Sequence, residues 1–184
     1  MWLRESLFQR PAEIHWPFLR CLRFGFGGGL GFLFPALLFR LFEQRRSIAR
    51  IVVMVQKEMA DRIVAQPGTK EYGALSVMVR LYGEPKMVCR VRAGSFVPAP
   101  RVDSAVVRIV PRGDVVGGVD EARFSKVVHA AFNQRRKTLR NALSAAFDVA
   151  AVDRALAAAA IDGQRRGETL SVEEFGRVSE AIGA

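Results

Sequence analysis

IVVMVQKEMADRIVA, residues 51–65, decides the fold class. Ile51–Val55 sets five apolar residues in a row, most of them β-branched, and such side chains suit a pleated sheet. An unbroken apolar run, in place of alternation, is the pattern of a parallel strand buried on both faces. Lys57–Ala65 follows at once as a short helix, and Pro67-Gly68 ends it. A buried strand running directly into a helix predicts an α/β fold. Such a strand needs neighbours, and nothing in the 36 residues ahead of the first predicted helix reads as one. The expectation is a sheet of which part is missing.

Upstream, Leu37–Arg46 (LLFRLFEQRR) reads as a helix, apolar at 37, 38, 41 and 42 and closed by cations that suit a helix C-terminus. Phe24–Phe39 (FGFGGGLGFLFPALLF) carries no charge and is flanked by Arg20, Arg23 and Arg40. It is shorter than the roughly 20 residues that cross a bilayer as a helix, and no small-residue cleavage site follows it. Buried or irregular chain is expected there, and no membrane segment.

Downstream, Glu71–Tyr82 is a second helix, with Leu75, Val79 and Tyr82 on one side and Gly83 as its stop. Lys86–Arg92 and Ser104–Val110 alternate with the period of strands. Between them lies AGSFVPAPRVD, residues 93–103, whose two prolines hold it extended instead of letting it turn tightly. Gly113–Gly118 reads as a boundary. Beyond it the chain is helical: about Glu121–Asn133, Thr138–Phe147, Val152–Ala160 and Val172–Ile182, the last opened by a Ser171/Glu174 capping box. Three stretches result: an atypical N-terminal segment, 1–36, with a non-native origin as one explanation; an α/β part, 37–112; and a small all-α domain, 119–184.

Lysine and arginine number 28 against 18 acidic residues, a net charge of +10. That excess points to a polyanionic partner, nucleic acid or an anionic membrane, against the plainer alternative of a solvated basic surface. Cys21 and Cys89 are isolated thiols, expected to act as small hydrophobes in a reducing cytoplasm. His15 and His129 also stand alone. No metal cluster can be assembled from them, so a metal-dependent hydrolase is not expected.

Two features carry chemistry. Arg123, Lys126, Arg135, Arg136, Lys137 and Arg140 fall between Ala122 and Phe147, a stretch without an acid. Helical spacing would put Arg136 and Arg140 on one face, with Gln134, Thr138 and Asn141 as neutral donors. Such a one-signed cluster suits phosphate and ribose; its alternative is a solvated basic face. The second feature is Phe96 on the Pro-flanked linker, an aromatic placed to stack on a flat ring or, more plainly, to plug a core.

FVPAPRVDSAVVRI (96–109), followed by FNQRRKTLRNAL (132–143), resembles the bacterial small-subunit rRNA adenine dimethyltransferases, whose relatives are the erythromycin-resistance rRNA methyltransferases. MVQKEMADRIVAQPGTKEYGALSV (54–77) is similar to the family segment after its fifth strand, and RRGETLSVEEF (165–175) to its closing helix. The resemblance runs from about Leu37 to the C-terminal end. It implies a partial Rossmann-like domain followed by a helical domain that faces RNA. It also implies methyl transfer from S-adenosylmethionine to the exocyclic amines of adenines in small-subunit rRNA, in the immature subunit, by a cytoplasmic monomer. Phe96 matches the aromatic that stacks on the extruded adenine. Arg135, Arg136, Lys137 and Arg140 match the basic part that meets RNA, with Arg101 beside the loop. Gln56, Lys57 and Glu58 are placed to line the cleft, Lys57 with either a phosphate or a plain surface role.

The sequence departs from that pattern upstream. No Gly-rich turn follows an opening strand, no acid lies roughly 20 positions beyond one, and no Asn-Leu-Pro-Tyr loop is found. GFGGGLG, 25–31, lacks the preceding strand and the acid that a donor-binding loop needs. A truncated or rearranged reading frame would account for this. Three readings stand: an rRNA dimethyltransferase by descent, a non-catalytic RNA-binding or ribosome-assembly module, and a basic protein anchored to a membrane by residues 24–42. Heat on mixing with S-adenosylmethionine separates the first two, and soluble recovery on fractionation removes the third.

Overall fold

The computed structural model describes residues 33–183. Helix α1 (Leu33–Glu43) leads through a short 3-10 turn, Arg45–Ser47, into strand β1 (Ile51–Gln56) and then helix α2 (Lys57–Val64). Helix α3 (Ala74–Tyr82), strand β2 (Gly83–Val91) and strand β3 (Ser104–Pro111) follow. Helices α4 (Glu121–Asn133), α5 (Leu139–Leu143), α6 (Val149–Ala158) and α7 (Val172–Gly183) complete the chain. Of the N-terminal segment 1–36, residues 1–32, with GFGGGLG, lie outside the described residues. Residues 33–36 form the first turn of α1, so that helix begins ahead of the expected Leu37.

The sheet corrects one expectation. Among the described residues its order is β1-β3-β2 and both pairings are antiparallel, so β1 has no parallel partner there. Nor is it buried on both faces. Ile51, Val53 and Val55 turn to the core, whereas Val52 and Met54 are 58% and 54% exposed. The cause lies in the layers. Helix α2 touches all three strands and α3 touches β2, and their buried side chains, with Ala105, Val107 and Ile109 of β3, fill one face. Among the described residues nothing covers the other. The strand neighbour of β1 is β3, which comes from further along the chain. Gly83 opens β2 because a Cβ there would lie 2.8 Å from the Val110 carbonyl oxygen.

Local chemistry sets the helices. Asp120, Thr138 and Asp148 each accept a backbone N–H near the start of α4, α5 and α6. Ser171 and Glu174 form the expected reciprocal box at α7. Ser76 Oγ accepts the Gly73 N–H and donates to the Arg62 carbonyl, tying α3 to α2. Gly68 takes the left-handed φ of 83° that the Pro67-Gly68 stop requires. Helix α5 is shorter than expected, because Ser144–Phe147 turns ahead of the Asp148 cap.

The helical part buries Phe124, Leu139, Leu143, Leu170 and Phe175 completely. Two junctions hold it to the sheet part. At one, buried Tyr82 donates to Glu121 (2.8 Å), and the Arg45 guanidinium lies over the Tyr82 ring and bonds the same carboxylate. Burial, with the Glu121 bond, raises the Tyr82 phenol above its usual range and keeps it a donor. At the other, Tyr72 donates to the Leu170 carbonyl (2.8 Å) and the Gly68 N–H to the Glu168 carbonyl (2.7 Å).

Candidate nucleic-acid interface

Strand register brings three chain segments to one end of the sheet: Gln56 of β1 and Val91 of β2 both pair with Ser104 of β3. The linker that carries Phe96 spans that end. It leaves β2 through a 3-10 turn, Ala93–Ser95, which the Phe96 N–H closes on the Ala93 carbonyl (3.2 Å). Phe96 is half-buried, yet among the described residues it belongs neither to the core nor to the side chains packed on it, and it meets no other ring. Among the described residues it plugs no core. Beyond it Val97 is fully exposed, the Val97-Pro98 bond is cis, and Pro98–Val102 lies open to solvent.

Asp103 ends the linker. Its carboxylate accepts the Ala93 N–H and its carbonyl accepts the Lys57 N–H, both at 2.9 Å. Lys57 therefore lies beside the linker, but its ammonium is paired with Asp61 at 2.7 Å. Arg101 is exposed and makes no ion pair or hydrogen bond among the described residues.

The basic segment divides. Arg136 and Lys137 are exposed in the turn between α4 and α5, and their side chains have no partner among the described residues. Arg135, their neighbour, donates through one nitrogen to the carbonyls of Lys70 and Tyr72 and to Glu168. Arg140 is gripped by both oxygens of Asp153, at 2.6 and 2.7 Å. That hydrogen-bonded pair raises Arg140 and holds the Asp153 carboxyl below its ordinary range. Lys126 lies 4.7 Å from the Phe147 ring centroid, and the Arg123 guanidinium packs against Gly183. Two expectations are thereby corrected. Acids from outside Ala122–Phe147 do neutralise part of the cluster, and Arg136 precedes α5, so it shares no helix face with Arg140.

Asp103, Asp153 and Glu168 were not singled out by sequence. Asp103 was visible as the sole acid of the linker; the other two announce their partners only after folding. Cys89, expected as a small hydrophobe, is a free and exposed thiol. Among the described residues no group of acids, histidines and cysteines is spaced to hold a metal, and no helix is long and apolar enough to cross a membrane.

The family model for ribosomal RNA adenine dimethylase matches residues 35–183. The chain belongs to that family. Ribosomal RNA small subunit methyltransferase A of Bacillus mycoides (strain KBAB4) and of Bacillus cereus (strain B4264) are each 47% identical to it over 152 residues. Each match covers 79% of this chain and 52% of the relative, so the chain spans about half the length of those relatives. A dimethyladenosine transferase from Plasmodium falciparum superposes with a TM-score of 0.66 at 24% identity, over 78% of this chain and 60% of that one. The 23S rRNA methyltransferase ErmE gives 0.57 at 23% identity, over 83% and 62%. These likenesses show the fold of the dimethylase family: an α/β, Rossmann-like methyltransferase part followed by C-terminal helices.

Proposed function

We propose that this chain supplies the target-recognition half of an rRNA adenine N6,N6-dimethyltransferase, with residues 37–112 and 119–184 as its two working units. Phe96 carries the reading. Among the described residues it is an aromatic ring outside the core, without a ring neighbour, on a linker across the end of the sheet. An adenine must leave its stack to be methylated, and an idle ring at the mouth of the fold gives the extruded base a face to settle on. Arg101, Arg136 and Lys137 contact phosphate as cations unpaired among the described residues. Lys57, Arg135 and Arg140, each held by an acid, keep solvent-facing surface and add less. The substrate is small-subunit rRNA within the immature subunit, met in the cytoplasm by a monomer.

S-adenosylmethionine is the methyl donor of the family. The described residues do not by themselves fit it. They include no Gly-rich strand-to-helix turn, and the close backbone approach at Gly83 is filled by Val110 and Ile109. That observation favours a second reading, an RNA-binding or ribosome-assembly module without methyl transfer.

One experiment addresses both: the chain is mixed with immature small subunits and labelled S-adenosylmethionine, and methyladenosine is counted. Phe96→Ala should lower transfer by about 100-fold, the cost of a misplaced reactant, with RNA affinity within twofold. Equal loss of rate and affinity refutes the stacking role. RNA binding without label, and no heat with the donor in calorimetry, selects the second reading.

A further inference from the structure

We infer that Asp103 is the positioning residue that fixes the Phe96 linker on the end of the sheet, an inference that rests on the stacking role proposed for Phe96. Between residues 97 and 102 no backbone N–H donates a hydrogen bond to the described residues, and two of the six positions are prolines, which have none to give. The location of Phe96 therefore depends on the turn before it and the anchor after it. Asp103 serves both. Its carboxylate holds the Ala93 N–H at 2.9 Å, at the start of the turn that Phe96 closes. Its carbonyl holds the Lys57 N–H at 2.9 Å, where β1 passes into α2. One residue thus links the beginning of the linker, its end and the neighbouring strand.

Charge alone argues the opposite. Asp103 is an exposed acid on the linker proposed to meet RNA, in a chain of net charge +10, and there it repels phosphate. Removing it should strengthen RNA binding. Geometry says that removal also frees the turn and lets Phe96 wander. Affinity and stacking should then move in opposite directions, which a merely structural role does not predict. Asp103→Asn separates the two contributions, because its amide oxygen can still accept from Ala93 while the charge is gone.

Three full-length proteins are compared: the parent, Asp103→Asn and Asp103→Ala. Without RNA, the Ala93 amide should exchange with solvent about tenfold faster in Asp103→Ala, the factor one ordinary hydrogen bond is worth, and near the parent rate in Asp103→Asn. With an adenine-bearing RNA hairpin, the Phe96 ring proton resonances should move upfield in the parent and in Asp103→Asn, and stay put in Asp103→Ala. Affinity should be no lower in either variant. Equal Ala93 exchange in all three overturns the inference, as does an undiminished ring shift in Asp103→Ala. A parent that binds the hairpin without any ring shift fails the stacking reading instead, and Ala93 exchange then decides Asp103 by itself.

Discussion

The helical part and the sheet part are built to different degrees of closure. The helical part buries Phe124, Leu143, Leu170 and Phe175 on all sides, and Asp120, Thr138, Asp148 and Ser171 cap its helices. Among the described residues the sheet part fills one face only; on the other, Val52 and Met54 are exposed along with part of Val110. Burial should therefore be worth more per side chain in the first region than in the strand that decided the fold class. The largest effect tests this directly. Phe175→Ala should cost about 3–5 kcal/mol, because a fully buried ring leaves a cavity among Phe124, Phe132 and their neighbours. Val52→Thr, on the open face, should stay within about 0.5 kcal/mol. Both are read by urea unfolding, and a comparable cost for the two would break the comparison.

The next effect sharpens it within the charged surface. Arg135 is tied across the junction between the two regions, whereas the Arg136 and Lys137 side chains are exposed and meet no partner among the described residues. Removing both free cations, Arg136→Ala with Lys137→Ala, should reduce the slope of log affinity against log salt by about 1.4–1.8, at roughly 0.7–0.9 per phosphate contact. The melting temperature should hold. Arg135→Ala should do the reverse, losing about 1 kcal/mol of stability with a smaller change of slope. An unchanged slope in the double variant would count against phosphate contact.

What the sequence made legible follows the same division. Helix α4 occupies Glu121–Asn133, the bounds read from the sequence, and the Ser171/Glu174 box stands where four consecutive residues put it. Those signals are local, complete within one turn of helix. The partner of β1 was not legible, because Ile51–Val55 says how apolar a strand is and nothing of the direction of β3, some fifty residues on. The division of the basic cluster was hidden for the same reason. Asp153 sits on α6, and the Lys70 and Tyr72 carbonyls belong to the connection between α2 and α3. Phe96 was legible as an aromatic on a stiff linker; its exclusion from the core needed the fold.

The smallest effect concerns pH, and it also belongs to the closed region. Arg165 bonds both carboxylate oxygens of Glu174, and the Ser171 N–H adds a third bond. The Arg165 bond is the main cause that holds the Glu174 carboxyl below its ordinary range, against a partial desolvation that raises it. A carboxyl whose folded pKa lies below its unfolded one stabilises fully above the unfolded value. That contribution fades as pH falls through the folded value. Acid should thus weaken the packing of α7, by under about 1 kcal/mol, since the pair is only part-buried and solvent still screens it. Glu174→Gln keeps an acceptor for the Ser171 N–H and removes the titration. Its melting temperature should start slightly lower at neutral pH and converge on that of the parent near pH 3. If the gap between the two stays constant from pH 7 to pH 3, the acid sensitivity of the closed region comes from other groups, with Asp153, held low by Arg140, the next to substitute.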